Sequence, residues 1–154
     1  MLLVVQTKIW FKEDLRNVDF TRVTELLNHF GLSDANEQVQ YATFKNSHGV
    51  LFAYADEELI GCSRVLSDGI SQAAIYNVAV AEAYHHKGIG QKMVQRLIQR
   101  YRHCNIILYT HPKTVSWYQH LGFKRMNTGL AIFEAQHAAW MAAEGFTVKE
   151  EAEL

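Results

Sequence analysis

The chain has 154 residues, 49% hydrophobic and 20% charged, with a formal net charge of −1. That length suits one domain with a sizeable core, and the near-neutral charge argues against a general nucleic-acid binder. No apolar run approaches the roughly 18 residues of a membrane-spanning helix, and the opening MLLVVQTKIWF lacks the basic start and cleavage site of a signal peptide, so a cytoplasmic protein without a membrane partner is expected. Cys62 and Cys104 are far apart and follow no metal or redox spacing, which predicts free buried thiols.

In chain order, Leu2 to Phe11 reads as a first strand, rich in Val, Ile and aromatic residues. Asp19 caps a helix from Phe20 to Phe30, with Phe20, Val23, Leu26, Leu27 and Phe30 apolar and Gly31 as its stop. Ser33 caps a second helix over about Asp34 to Asn46, with a weak stripe of Ala35, Val39 and Ala42. A meander follows. Val50 to Ala55 and Leu59 to Leu66 are strands, Ser67-Asp68-Gly69 has the chemistry of a tight hairpin turn, and Ile70 to Val80 is the third strand of the set. Two glycines, Gly88 and Gly90, then open a helix with Ile89, Met93, Val94, Leu97, Ile98 and Tyr101 on one stripe. Asn105 to Tyr109 is a short apolar strand and Lys113 to His120 a short helix. Phe123 to Met126 and Leu130 to Glu134 flank Asn127-Thr128-Gly129 as a final hairpin. Gln136 to Glu144 is an Ala-rich helix with Trp140 and Met141 for docking, Gly145 as its stop, and a frayed acidic KEEAEL tail.

Strand, glycine turn and helix start together make an anion site. The first helical amides have no internal partner, the dipole is positive there, and glycine lets a phosphate come close. A Walker loop is excluded because Lys87 precedes Gly88 and Gln91 follows Gly90. A dinucleotide fingerprint is excluded because position 93 is Met. What remains, V-A-E-A-Y-H-H-K-G-I-G, resembles the acetyl-CoA motif of the GCN5-related N-acetyltransferases (GNAT), V-x-P-x-Y-[Q/R]-x-x-G-x-G/A. Val80, Tyr84, Gly88 and Gly90 match, while Glu82 stands where Pro is common and His85 where Gln or Arg is usual. Backbone amides do most of the phosphate work in such a loop, so acetyl-CoA binding survives both changes on this reading. An imidazole at the His85 position makes cofactor affinity more sensitive to pH. The element order β-α-α-β-β-β-α-β-α-β-β is that of the family, so the resemblance covers about residues 3 to 134. It implies an α/β (α+β) fold with a mixed, mostly antiparallel central sheet flanked by helices, a domain over residues 1–135, and a helical extension over 136–154.

A second family-like signature is T-V-S-W-Y-Q-H-L-G-F from Thr114 to Phe123, similar to A-x-x-[F/L]-Y-x-x-x-G-F. By that resemblance Tyr118 is the general acid that protonates the departing thiolate; the alternative is a core tyrosine with its hydroxyl on a backbone group. In the family the strand before the glycine turn splays from its neighbour. The resemblance thus implies the Val78 amide as oxyanion donor and the Val80 backbone as partner of the pantetheine arm. His85, His86, Lys87, Gly88, Ile89, Gly90 and Gln91 would then form the phosphate-binding turn. Relatives often carry an acidic base on that strand. Asn77 stands there instead, able to orient water or amine but unable to act as a base. His111 is the leading alternative base, by the neutral range in which imidazoles titrate. His48 and Glu82 are further options, and a water wire needs no named base.

No metal-ligand spacing is present, so no metal is expected. Lys92, Arg96, Arg100 and Arg102 read as a solvated face. The function expected is acetyl transfer from acetyl-CoA to a primary amine of a small molecule or peptide, by direct attack in a ternary complex. The R-V-L-S-D-G segment, Arg64 to Gly69, is similar to that of small-amine members such as the serotonin and arylalkylamine acetyltransferases. The rival is a non-catalytic acyl-CoA-binding module, motivated by the residues at 77, 85 and 111; action on charged tRNA is disfavoured by the charge. A homodimer is a candidate assembly. The acceptor, and whether the acyl group is acetyl or longer, are beyond the sequence.

Overall fold

Antiparallel pairing organises the chain up to Leu108. The computed structural model describes residues 3–150, and the chain divides into two units between Leu108 and Tyr109.

The first unit carries one sheet of order β1-β2-β3-β4-β5. β1 (Ile9–Lys12), β2 (Gly49–Ala55), β3 (Glu58–Ser67) and β4 (Gln72–Val80) pair antiparallel in sequence, and β5 (Asn105–Ile107) pairs parallel with β4. The mixed, mostly antiparallel α/β architecture expected from the sequence is therefore present. β1 is shorter than expected. Ile9 already faces Ala55, the last residue of β2, so residues 3–8 have no ladder partner there. Asp56, at φ 51°, turns the chain, and its carboxylate accepts the Lys8 N–H at 3.0 Å. Leu2 lies outside the described residues.

The helices follow their apolar stripes. Asp19 caps α1 (Phe20–His29) by accepting the N–H groups of Thr21 and Arg22, and buries Phe20, Val23, Leu26 and Leu27. α2 (Glu37–Lys45) starts later than expected. Asn36, not Ser33, caps it through the Val39 N–H, while Ser33 Oγ accepts from Ala35. Its buried face is Gln40 and Phe44, not the Ala35, Val39, Ala42 stripe; Phe44 takes the stacked place on Phe52 and leaves Val39 exposed. α3 (Ile89–Arg100) buries Ile89, Met93, Val94 and Leu97, with Tyr101 buried at its end. Each such side chain contributes about 1.5–3 kcal/mol. Gly61 admits this packing: a Cβ there would stand 3.1 Å from Met93 Sδ.

Two connections differ from expectation. The β3–β4 turn is a four-residue loop, not a tight Asp-Gly hairpin. The Asp68 carboxylate accepts the N–H groups of Ile70, Ser71 and Gln72, so Ile70 and Ser71 lie outside β4. β5 stops at Ile107, two residues short of Tyr109.

The second unit has a 3-10 turn (Pro112–Thr114), α4 (Val115–His120) and α5 (Ala135–Ala143). Gly122 (φ 102°) and Gly145 (φ 85°) follow the two helices in the left-handed region that glycine adopts without strain. The final hairpin does not form: 123–134 contains no strand, and Leu130 and Ile132 are 97% and 102% exposed. Alternating apolar residues make a strand only where a sheet edge receives them. On α5, Trp140 is exposed and its ring lies 5.9 Å from that of Phe146. Residues 151–154 of the acidic tail are outside the described residues.

Candidate active site

The site begins at β4. Its ladder with β5 covers only Gln72, Ala73 and Ala74, whereas β4 itself runs on to Val80 beside β3. From Ile75 onward the edge that β5 would occupy is therefore unpaired by β5. The Ala81 N–H donates to the Ile60 carbonyl on the β3 side at 2.7 Å. Backbone groups alternate sides along a strand, so Val80 and Val78 turn their N–H groups to the opposite edge, the one that β5 leaves unpaired past Ala74.

A bulge sits in the same stretch. The β3–β4 register shifts between Cys62 and Arg64, and Asn77 takes φ 56°, which asparagine tolerates better than most residues. Arg64 Nε donates to Asn77 Oδ1 at 2.6 Å, Arg64 Nη1 to Ser47 Oγ at 3.4 Å, and the guanidinium lies 5.1 Å from the Tyr76 ring centroid. The Cys62 thiol donates to the Asn77 carbonyl at 3.5 Å, and burial pushes its pKa up to about 12. Asn77 is thus held at both side chain and main chain. Arg64 was not singled out by sequence reasoning; a lone charge inside an apolar strand was the available signal.

β4 leads through the 3-10 turn Glu82–Tyr84 to Gly88, which stands at φ 77° as the N-cap of α3. No side chain caps this helix, and a Cβ at Gly88 would meet nothing within 4 Å. The N–H groups of Ile89, Gly90 and Gln91 therefore start a helix whose positive end lies on open space. His86 precedes at φ 62°, and Lys87 Nζ lies 5.2 Å from the Tyr84 ring. These features suit the diphosphate of acetyl-CoA: donors, a positive helix end, and room for close approach.

His85, expected in the phosphate-binding turn, is tied back to β4. Its Nε2–H donates to the Val80 carbonyl at 2.5 Å, and its ring stacks on Phe30 at 5.5 Å. Next to it, His29 Nε2 meets Glu82 Oε1 at 2.9 Å, and this contact holds the Glu82 carboxyl below its usual range. The C-terminal end of α1 is thereby tied to the glycine turn twice. Neither Phe30 nor His29 carried a functional signal in the sequence, because the contacts join residues remote in the chain.

His48 is placed elsewhere: its Nδ1 lies 2.7 Å from the buried Tyr101 hydroxyl.

Tyr118 and His111 belong to the second unit. Tyr118, on α4, is half-buried between Trp117 and Phe123, with ring centroids at 4.8 and 5.7 Å, and burial pushes its pKa up to about 12. It is a neutral phenol at physiological pH and so a proton donor. Both nitrogens of His111 are engaged. Nδ1 accepts the Lys113 N–H at 3.1 Å, which leaves the proton on Nε2, and Nε2 meets Glu144 Oε2 at 3.1 Å. To act as a base, this ring must first release a partner.

The model of the acetyltransferase (GNAT) domain family matches residues 46–125. The chain is 33% identical over 67 residues to GCN5-related N-acetyltransferase 1, chloroplastic, of Arabidopsis thaliana, covering 42% of this chain and 34% of that protein. It is 33% identical over 72 residues to the uncharacterized N-acetyltransferase ycf52 of Pyropia yezoensis, covering 45% and 41%. The chain thus spans well under half the length of these curated relatives. A solved structure of a probable acetyltransferase from meticillin-resistant Staphylococcus aureus superposes with TM-score 0.71 at 18% identity, covering 82% of this chain and all of that one. Among the described residues no helix is long and apolar enough to cross a membrane. With its family domain match over more than half its length, the chain belongs to the GNAT acetyltransferase family.

Proposed function

We propose that the protein transfers an acetyl group from acetyl-CoA to a primary amine of a small molecule or peptide, by direct attack in a ternary complex. The observation that carries this reading is the continuity of β4. Past Ala74 the edge that β5 leaves unpaired carries the Val78 and Val80 N–H groups, and the chain then passes through the 3-10 turn to the left-handed Gly88 that caps α3.

Acetyl-CoA supplies an activated thioester. Ile89, Gly90 and Gln91 give amides to its phosphates, with Gly88 clear of the approach and His86 and Lys87 at the rim. Val80 gives its N–H to the pantetheine arm, while His85 keeps the carbonyl of the same residue oriented. Val78 gives an N–H to the thioester oxygen, where negative charge grows as the amine nitrogen bonds to the carbonyl carbon. The carbon–sulfur bond then breaks, and Tyr118 donates its phenolic proton to the thiolate. Asn77 positions the amine or a water. Water removes the amine proton, and His111 assists only after parting from Lys113 or Glu144.

The acetyltransferase domain covers 1–135 on this proposal, and 136–154 is an extension whose exposed Trp140 supplies a homodimer contact. Size-exclusion chromatography with light scattering tests the dimer. The Arabidopsis relative is described as chloroplastic; for this chain a cytoplasmic site of action is our proposal, checked by cell fractionation. The transfer itself is tested by thiol release from acetyl-CoA with a panel of amines, followed by mass spectrometry of the acetylated product.

A further inference from the structure

The first turns of α1 and the turn between β2 and β3 border a cleft of about 330 Å³, at the lower end of the roughly 300–1,000 Å³ range of small-ligand pockets. None of its lining residues belongs to β4, to the glycine turn or to the second unit. Tyr54 forms part of its wall. Tyr54 pairs with Trp10 across the β1–β2 ladder and stacks on that indole, with ring centroids 4.5 Å apart and planes 15° apart. The Trp10 Nε1–H donates to the Asp56 carbonyl at 2.7 Å, which fixes the stack.

Tyr54 is only 7% exposed, yet its hydroxyl makes no hydrogen bond among the described residues. A phenol in such a place ordinarily finds a partner, and the cleft that it lines is where one can enter. Burial first, then the Asp19 and Asp14 carboxylates, raise its pKa above the ordinary phenol value. The hydroxyl is thus a neutral group beside negative charge, and Asp19 lines the same cleft.

The charged lining is mostly acidic. Asp19, Glu25, Glu57 and Glu58 stand there against one cation, Arg22. Arg22 is already engaged: Nε donates to the Leu59 carbonyl at 3.3 Å, and Nη1 lies 3.6 Å from Glu25 Oε2. The Glu57 and Glu58 carboxylates are exposed and have no hydrogen bond or ion pair among the described residues. Asp19 Oδ1 takes two of the first amides of α1, which answers the positive end of that helix. A cleft with this balance of charge attracts a cation. A metal ion is the poorer fit, because among the described residues no three His, Cys, Asp or Glu side chains are grouped to hold one. Carboxylates spread around an aromatic wall suit an organic cation, whose several N–H groups call for separate acceptors.

We infer that this cleft binds an organic cation, an ammonium or guanidinium group that donates to the Tyr54 hydroxyl oxygen and is balanced by Asp19, Glu57 and Glu58. The inference goes beyond the acetyl-transfer reading and does not depend on it. The cationic group comes from a free small amine or from a basic side chain of a peptide, two sources of one chemistry.

The experiment is isothermal titration of the full chain without CoA. Agmatine and spermidine are the free cations. A capped tripeptide with a central arginine is compared with the same peptide carrying norleucine there, and Mg²⁺ is the metal control. Tyr54→Phe removes the oxygen and keeps the ring on Trp10. Glu57→Gln combined with Glu58→Gln removes two exposed charges. Circular dichroism and melting show whether each variant is folded. The expected result is one-to-one binding of an organic cation, weakened about tenfold to a hundredfold in Tyr54→Phe, the range of a hydrogen bond to a charged group. In the double glutamine variant it is weakened by about 2-fold to 5-fold, with a shallower dependence on salt. Binding of agmatine or spermidine alone assigns the cleft to a small amine, and binding of the arginine peptide assigns it to a side chain. No binding of any organic cation, or Mg²⁺ bound in their place, overturns the inference. So does a norleucine peptide that binds as tightly as the arginine peptide, or an affinity unchanged in either folded variant. If Tyr54→Phe does not fold, the double glutamine variant decides.

Discussion

The His85 imidazole donates from Nε2 to the main-chain carbonyl of Val80 at 2.5 Å, and so the residue that departs from the family motif is bound to the last residue of β4. The bond closes the end of β4 just where the chain leaves for the glycine turn. Stacking on Phe30 fixes the ring from the other side. His85→Ala is expected to weaken acetyl-CoA binding about 3-fold to 10-fold, the worth of one ordinary hydrogen bond. His86→Ala, at the exposed rim, changes it less. Isothermal titration of both variants checks the order, and an unchanged affinity in His85→Ala contradicts it.

Gly88 and Gly49 separate binding from stability. At Gly88 a Cβ meets nothing, but φ is 77° and the new methyl stands where phosphate approaches. Gly88→Ala should cost about 1–2 kcal/mol of backbone strain and lower acetyl-CoA affinity by at least about tenfold, the scale of one lost charge-assisted contact. At Gly49 a Cβ overlaps the hydroxyl of buried Tyr101. Gly49→Ala should lower the melting temperature more than Gly88→Ala while leaving the affinity of the folded fraction near wild type. Melting curves and titrations of the two variants decide this, and equal effects on affinity contradict the assignment.

Tyr118 gives a pH prediction. Its pKa is raised from 10.0 to about 12 by burial, so the phenol stays protonated across the working range. The acid-catalysed departure of the thiol should not decline on the alkaline side until above pH 10. A loss of kcat centred near pH 8 or 9 contradicts Tyr118 as the donor. The same shift has a sign for stability: a folded pKa above the unfolded value gives a contribution fully present below pH 10 and lost as pH rises toward 12. Tyr118→Phe lacks that contribution's dependence, so its stability should track wild type in shape up to about pH 10 and lose less above it.

The thiols should react in order. Cys62 is fully buried, with its pKa pushed up to about 12, and Cys104 is half-buried. A thiol reagent at pH 8 should label Cys104 first and reach Cys62 only on unfolding. Peptide mapping after timed labelling checks this, and early modification of Cys62 contradicts the packing of β3.

Much of this was legible in the chain because local pattern and tertiary outcome agree. The α3 stripe of Ile89, Met93, Val94, Leu97 and Tyr101 is the buried face, and Asp19 is the cap it promised to be. Misreadings came where a local signal met a stronger tertiary one. Asp68 followed by Gly69 looks like a hairpin turn, yet the carboxylate gathers three amides and widens the loop. Leu130 and Ile132 alternate as a strand would, but no ladder takes them. Asn77 in the left-handed region, and Arg64 bonded to it, depend on a register shift between two strands, which no single stretch of sequence encodes. The same holds for His29 and Phe30, which reach the glycine turn only through the fold.

The central claim is tested most directly by acetyl-CoA turnover in the wild-type chain and in Tyr118→Phe, with titration of acetyl-CoA binding to both. The account predicts thiol release that depends on an added amine and yields a stoichiometric acetylated product. In the variant it predicts a kcat lower by about 10²-fold to 10⁴-fold, the scale of general acid catalysis, at nearly unchanged acetyl-CoA affinity. Binding of acetyl-CoA without turnover across the amine panel, or equal kcat in Tyr118→Phe, would contradict it.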